Sequence, residues 1–379
     1  MTVPTGPPVY LDHNATTPVD PRVTAACLPY LTEHFGNPSS GHTYGHRARR
    51  AVDTARASVA EFLGCAPGEV VFSGSGSESD TLAIRGAALA ARERGDHVIT
   101  QLTEHPAVIA ACDALRRLHG FRVTELPVNG HGLVDPAALA AALTDRTVLV
   151  SIMHANNETG TVQPIRELAA LTHTRGALFH TDAAQSAAKL DLSVRDLGVD
   201  LLTIAGHKMY APKGVGALYV RQGLDLEPTI YGGGQESGRR GGTENVALIV
   251  ALGAAARLAM DDHSAPQRLQ HLRDLLHTLL DENLPGRVHL NGHPTHRLPN
   301  TLNLSIDGTL GAALLAAVPG IAASTGSACH EGETRPSAVL TAMGHPPGRA
   351  LAALRLTLGR STTAEDIQHA ATQLTAAAS

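Results

Sequence analysis

The sequence predicts an α/β protein: a large domain whose mostly parallel sheet is flanked by helices, followed by a smaller α+β domain. Three observations predict it. Through the first two-thirds of the chain, short apolar runs alternate with stretches of helical periodicity, the pattern of strands joined by crossover helices. A long helical stretch from Asn245 to about Asn283 then breaks that rhythm, and only a few strand-like runs follow. Finally, 379 residues are enough to build two cores.

The elements follow in order. Arg47–Leu63 places Ala48, Ala51, Val52, Ala55, Val59, Phe62 and Leu63 at helical spacing. "EVVFS" (69–73) reads as a strand, leading through a Gly/Ser turn into a helix that runs to Ala91. "HVITQ" (97–101) is a strand, followed by a helix to about His119 and by "FRVTEL" (121–126). "TVLVSIM" (147–153), "ALFHTD" (177–182), "DLLTIA" (200–205) and "GALYV" (216–220) complete the first set of strands. After the long helical stretch come "TLNLSI" (301–306), "IAAST" (321–325) and "LRLTL" (354–358). A last helix starts near Thr363, with Thr362 and Glu365 at capping-box spacing. In an α/β sheet of this kind, ligand sites belong at the carboxyl ends of the strands.

Composition removes several function classes. Hydrophobic residues make up 43% and charged residues 17%, as in globular proteins, and the net charge is −5. With no Lys/Arg run longer than two, a nucleic-acid partner is not expected. The start, "MTVPTGPPVYLDHNATTP", lacks a basic, apolar leader pattern, and "VALIVALGAAARLAM" is interrupted by Gly253 and Arg257, so neither a signal peptide nor a membrane span is expected. Cys27, Cys65, Cys112 and Cys329 lie far apart with no CxxC, which points to a reduced, cytoplasmic setting. His42 and His46 stand at i,i+4 without a third ligand nearby, so no metal is expected.

Only three of the 30 basic residues are lysine, and two of them fall in "AGHKMYAPKG" (205–214). An amine can lose its proton when partly buried and can add to a carbonyl, which a guanidinium does not do. Lys208, just past a strand, is thus a candidate for carbonyl chemistry, while Lys213 reads as a turn residue. "FSGSGSESD" (72–80) joins a strand to a helix start through a Gly/Ser turn; it reads equally as a phosphate cradle or a plain turn. Asp182 ends an apolar strand, where a carboxylate could hold a protonated ring nitrogen or simply cap a helix. His105 follows a strand and could stack on a flat cofactor and move protons, or be a surface histidine. Cys329, in the Gly/Ser/Ala-rich "ASTGSACHEGETRPS", reads as an exposed thiol, unlike Cys65 and Cys112, whose apolar neighbours mark them as inert. Arg355 alternates with Leu354, Leu356 and Leu358 and by itself reads as solvent-facing.

Taken in order, "YLDHNATTP … FGNPSS … SGSGSESD … TEHPAV … SIMHANNETG … HTDAAQ … AGHKMYAPKGVGALYV … GGGQESGRRGGTEN … STGSACHEGETRPS" resembles the cysteine desulfurase family, of the class V aminotransferase group of fold-type I pyridoxal-phosphate enzymes. The resemblance runs from Tyr10 to about Arg360, and the spacing from Cys329 to Pro336 is similar to that of the branch with an extended catalytic loop. It implies a pyridoxal-phosphate-binding domain over 15–255 and a small domain over 1–14 and 256–379 carrying the cysteine loop. It implies that Lys208 holds pyridoxal phosphate on its amine and that Asp182 pairs with the ring nitrogen. Gln185 would bond the ring oxygen, and His105 would stack on the ring. Gly76, Ser77 and His207 would hold the phosphate, with Thr243 reaching the phosphate of the other subunit of a homodimer. Asn157 and Arg355 would take the carboxylate of L-cysteine, and Cys329 would remove its sulfur as a persulfide, leaving L-alanine. A sulfur-acceptor protein, in iron–sulfur assembly or tRNA thiolation, would be the partner. The family usually has serine where Ala205 stands and Ser-Gly-x-Thr-Glu-Ser where this chain has Gly74-Ser75-Gly76-Ser77-Glu78-Ser79. A selenocysteine lyase or an aminotransferase on the same fold is the alternative, and transamination has no use for Cys329. A nicotinamide oxidoreductase would want a third glycine in the turn and no imine-forming lysine.

Overall fold

The computed structural model describes residues 7–325 and 335–379. Among the described residues, twelve strands follow in chain order: β1 (Val9–Tyr10), β2 (Val70–Ser73), β3 (His97–Gln101), β4 (Arg122–Leu126), β5 (Thr147–Ser151), β6 (Leu178–Asp182), β7 (Leu201–Ala205), β8 (Gly216–Val220), β9 (Val288–Leu290), β10 (Thr301–Ile306), β11 (Ile321–Ala322) and β12 (Ala353–Thr357). Seven of them form the main sheet, in the order β2-β8-β7-β6-β5-β3-β4. Only β8 runs against the rest. β2, β3, β5, β7 and β8 are buried along their whole length, which is why they read as apolar runs rather than as alternating ones.

Helices cover both faces. The helix Thr43–Leu63 presents Ala48, Val52, Ala55 and Val59 to the core. Gly253, on the helix Val246–Asp261, lets that helix press against it, since a Cβ there would stand 2.7 Å from Ala55 Cα. Apolar residues of Val246–Asp261 pack into this core as far as Ala259. A second cluster draws on Leu11, with Val9 packed against it, and on residues from Leu269 onward, around the antiparallel trio β12-β10-β9.

Several local expectations needed correction. The helical stretch from Asn245 is two helices, Val246–Asp261 and Ala265–Asn283, separated at Asp262–Ser264; Pro266 belongs to the first turn of the second, where a missing N–H costs nothing. The helix after the Gly/Ser turn passes through a π-helical segment, Leu82–Gly86. "IAAST" is a strand only at Ile321–Ala322, where it pairs with β1. The last helix is capped by Thr363 and Asp366 rather than by Thr362 and Glu365. Thr362 Oγ1 instead accepts the Gly359 amide at 2.9 Å.

Candidate active site

The carboxyl ends of β2, β3, β6 and β7 lie along one edge of the sheet, and each carries part of the site. β7 ends at Ala205, and a short 3-10 turn, Gly206–Lys208, follows. The turn is tight because Gly206 has no side chain: a Cβ there would stand 2.8 Å from Val215 Cγ1. The Lys208 Nζ donates to the carbonyls of Asn14 at 2.5 Å and Ala15 at 2.8 Å. Burial and the nearby Arg355 draw its pKa down to about 8, against the opposing pull of Asp182 and Asp12. Roughly a tenth of this lysine is therefore the free amine at pH 7, far more than for an ordinary lysine.

β6 ends in Asp182, buried, with one carboxylate oxygen accepting the Ala184 amide at 2.8 Å. The other oxygen has no hydrogen-bond partner among the described residues. Burial raises the Asp182 pKa, opposed by that hydrogen bond and by His105 and Lys208. Nearby, Asp80 is buried, its Oδ1 making no hydrogen bond and lying 3.8 Å from His180 Nε2, and burial and the Asp182 charge hold its pKa well above the ordinary range. His105 caps the helix Pro106–His119, its Nδ1 accepting the Ala107 amide at 3.2 Å. That bond leaves Nε2 as the proton-carrying nitrogen of the neutral ring, and burial keeps the ring neutral by lowering its pKa.

After β2, Ser75 caps the helix by accepting the Glu78 amide at 3.1 Å. The amides of Gly76 and Ser77 find no acceptor within the described chain, so two donors and the helix dipole face one place. Ala205 packs on this turn: a Cβ on Gly76 would lie 3.1 Å from Ala205 Cβ. His207, its pKa lowered to about 4 mainly by burial, meets Thr16 Oγ1 through Nδ1 at 3.2 Å. Gln185 is buried and donates through Nε2 to the Asn14 carbonyl at 3.0 Å.

Arg355 is not solvent-facing. The face of β12 opposite its leucines is covered by the N-terminal segment and the turn after β5, and Arg355 is only 6% exposed. Its guanidinium meets Asp12 Oδ1 at 2.9 Å and the Asn157 carbonyl at 3.3 Å. Arg355 and Asn157 are thus brought together, and Arg355 lies close enough to Lys208 to influence its charge. Thr243 is exposed and lines, with Gly74, Gly214 and Arg240, a cavity of about 240 Å³ apart from Lys208. Arg240 Nε bonds Glu78 Oε1 at 2.8 Å and so ties this segment to the Gly/Ser turn. Cys329 lies outside the described residues.

The sequence alone gave no role to the individual residues of "YLDHNATTP". Asp12, Asn14 and Ala15 nevertheless touch Arg355, Gln185 and Lys208. The signal was available as a run of polar residues directly after an apolar pair near the chain start. Lys189 carried no sequence signal of its own; it is buried against Gln185.

The profile of the family described as "Aminotransferase class-V" matches residues 9–369. The chain belongs to this family. It is 49% identical over 362 residues to a protein named "Cysteine desulfurase" from Trichormus azollae, covering 95% of this chain and 90% of the relative. It is 46% identical over 363 residues to "Cysteine desulfurase IscS" from Methanosarcina thermophila, covering 95% and 89%. Among solved structures, a NifS-like protein superposes with a TM-score of 0.91 at 34% identity, covering 97% of this chain and 98% of that one. A structure described as "SspA in complex with cysteine" superposes with a TM-score of 0.80 at 36% identity, covering 92% and 98%. Fold, family and cysteine desulfurase function therefore agree with what the motif order implied.

Proposed function

We propose that this chain binds pyridoxal 5'-phosphate through Lys208 and uses Cys329 to take sulfur from L-cysteine, releasing L-alanine. The residues present fit that cofactor. The Gly76 and Ser77 amides, with His207, supply donors for a phosphate, and the absence of a Cβ on Gly76 leaves a cradle beside Ala205. The unpartnered oxygen of Asp182 suits a protonated ring nitrogen, and Gln185 Nε2 suits a ring oxygen. His105 would lie against the ring. The observation that carries the reading is the half-buried Lys208 amine, with its pKa near 8, held by the carbonyls of the N-terminal segment and within the influence of the Asp182 carboxylate.

When bound, pyridoxal phosphate supplies an electron sink for the bonds at the substrate's Cα and Cβ. The chain's own residues do the rest. Arg355 and Asn157 hold the substrate carboxylate, the guanidinium being already oriented by Asp12. Lys208 Nζ takes the Cα proton, and His105 Nε2 carries protons to and from the substrate amine. The Cys329 thiolate attacks the substrate sulfur. A sulfur–sulfur bond forms as the carbon–sulfur bond breaks, and the electron pair left on carbon takes a proton as alanine forms. Cys112 and Cys65 are poor candidates for this step, since burial pushes each thiol up to about 12.

The reading extends to a cytoplasmic homodimer in which Thr243 serves the partner's phosphate, supported by its exposed position beside the Gly/Ser turn. It divides the work between a cofactor-holding domain, 15–255, and a small domain, 1–14 with 256–379, bearing Cys329; two separate hydrophobic clusters support two cores, with Ala256, Leu258 and Ala259 still packed into the first. The persulfide sulfur would pass to an acceptor protein of iron–sulfur assembly or tRNA thiolation, and relatives named IscS are in keeping with such a role. The test is colour. Wild-type protein incubated with pyridoxal phosphate should gain a visible absorption band that survives desalting, and Lys208→Ala should lose it. A colourless wild type sinks the reading.

A further inference from the structure

Lys189 is one of only three lysines, is 7% exposed, and has no role in the reaction just described. Its Nζ donates to two atoms of one residue: the Gln185 carbonyl at 2.8 Å and the Gln185 side-chain Oε1 at 3.4 Å. Gln185 Nε2 then donates to the Asn14 carbonyl at 3.0 Å, and the same carbonyl accepts Lys208 Nζ. The four residues form one chain of contacts, Lys189 to Gln185 to Asn14 to Lys208. The backbone passes through a left-handed φ of 61° at Ala188, a conformation that a non-glycine residue rarely adopts. That turn delivers Lys189 to this place.

An amide has an oxygen end and a nitrogen end of nearly the same shape, so something must choose which end faces the site. An ammonium has only donors, so it selects the oxygen. Burial, and the charge of Lys208, draw the Lys189 pKa down to about 7; the neutral amine still keeps two N–H donors.

We propose that Lys189 is a positioning residue which, by holding Gln185 Oε1, fixes the Gln185 amide with its N–H donor turned toward Lys208 and the cofactor's ring oxygen. This rests on the reading that Lys208 carries pyridoxal phosphate. Without Lys189 only the Asn14 carbonyl still selects the nitrogen end, and the less firmly held amide can turn its oxygen, which repels an anionic ring oxygen, toward the site. The bound cofactor then holds its proton more tightly.

The experiment is a spectroscopic pH titration of purified holoenzyme. The variants are Lys189→Met, Gln185→Ala and the double variant. Lys189→Met should keep the visible band while the pH midpoint of that band moves up by about one unit, a tenfold change in proton affinity. In the Gln185→Ala background, the same Lys189→Met change should move the midpoint no further. A shift that persists without Gln185 means that Lys189 acts only as a charge, and overturns the proposal. An unmoved midpoint in Lys189→Met overturns it as well. Should Lys189→Met fail to fold, Lys189→Gln replaces it: it removes the charge yet keeps an amide donor, so its midpoint should stay near that of the wild type, and a full upward shift contradicts the positioning role. Absence of the band in wild type refutes the cofactor reading itself, a separately visible outcome.

Discussion

Lys208 shows how a single residue's chemistry follows from its surroundings. An exposed lysine ordinarily titrates near 10.5, but burial brings this one to about 8. Only the free amine can attack the cofactor's aldehyde, and its fraction grows as pH rises through the pKa. The rate at which cofactor-free protein takes up pyridoxal phosphate should therefore climb with a midpoint near pH 8, measured by stopped-flow absorbance; a midpoint near that of an ordinary lysine contradicts the account. Ala205 carries the second residue-scale expectation. It packs directly on Gly76, where the family's serine would place a hydroxyl beside the phosphate. Ala205→Ser should tighten cofactor binding roughly tenfold, about 1.5 kcal/mol for one hydrogen bond to a charged group, as read by titrating cofactor-free protein. The sequence already displayed both features, as a lysine-poor composition and a departure from a motif. Arg355 was misread from its own strand because alternation tells which side a residue takes, not what covers that side. The cover comes from Asp12 and Asn157, far away in sequence.

At the scale of elements, most strands of the main sheet were legible because burial on both faces makes them apolar runs between polar turns; β4, at the sheet's edge, is the exposed exception. The two-residue β1 and the three-residue β9 were not: so short a stretch has no period, and pairing with β11 or β10 defines it. The segment after β8 has no regular pattern and is instead pinned by ion pairs. Arg56 meets both Glu236 oxygens at 2.7 Å, and Glu236 Oε2 also accepts the Phe72 amide at 3.0 Å. Glu236 holds a left-handed φ of 48° at this anchor. Glu236→Ala would leave Arg56 mostly buried without its partner. It should cost about 3 kcal/mol in urea unfolding, and a loss below about 0.5 kcal/mol would show the anchor to be dispensable.

Across the whole molecule, the N-terminal segment joins the two cores. Leu11 belongs to the second cluster, while the Thr17 hydroxyl donates to the His207 carbonyl and accepts the Tyr210 amide just past β7. Between them Asn14 bonds Thr301, Asn300 and the Asn157 carbonyl through its side chain, and Gln185 and Lys208 through its backbone. The site is thus assembled from segments distant in the chain, as the Asp12–Arg355 pair shows with a separation of 343 residues. Motifs pointed to most of the residues proposed for it, but that join is a tertiary fact with no local signature. The central claim is that this assembly serves a thiol that takes sulfur from L-cysteine. The measurement that tests it most directly is alanine and sulfide production from L-cysteine, with a reductant present, by Cys329→Ala beside wild type. The account predicts that the variant keeps the cofactor's visible band and loses both products. Wild-type rates of alanine and sulfide formation in that variant would contradict it.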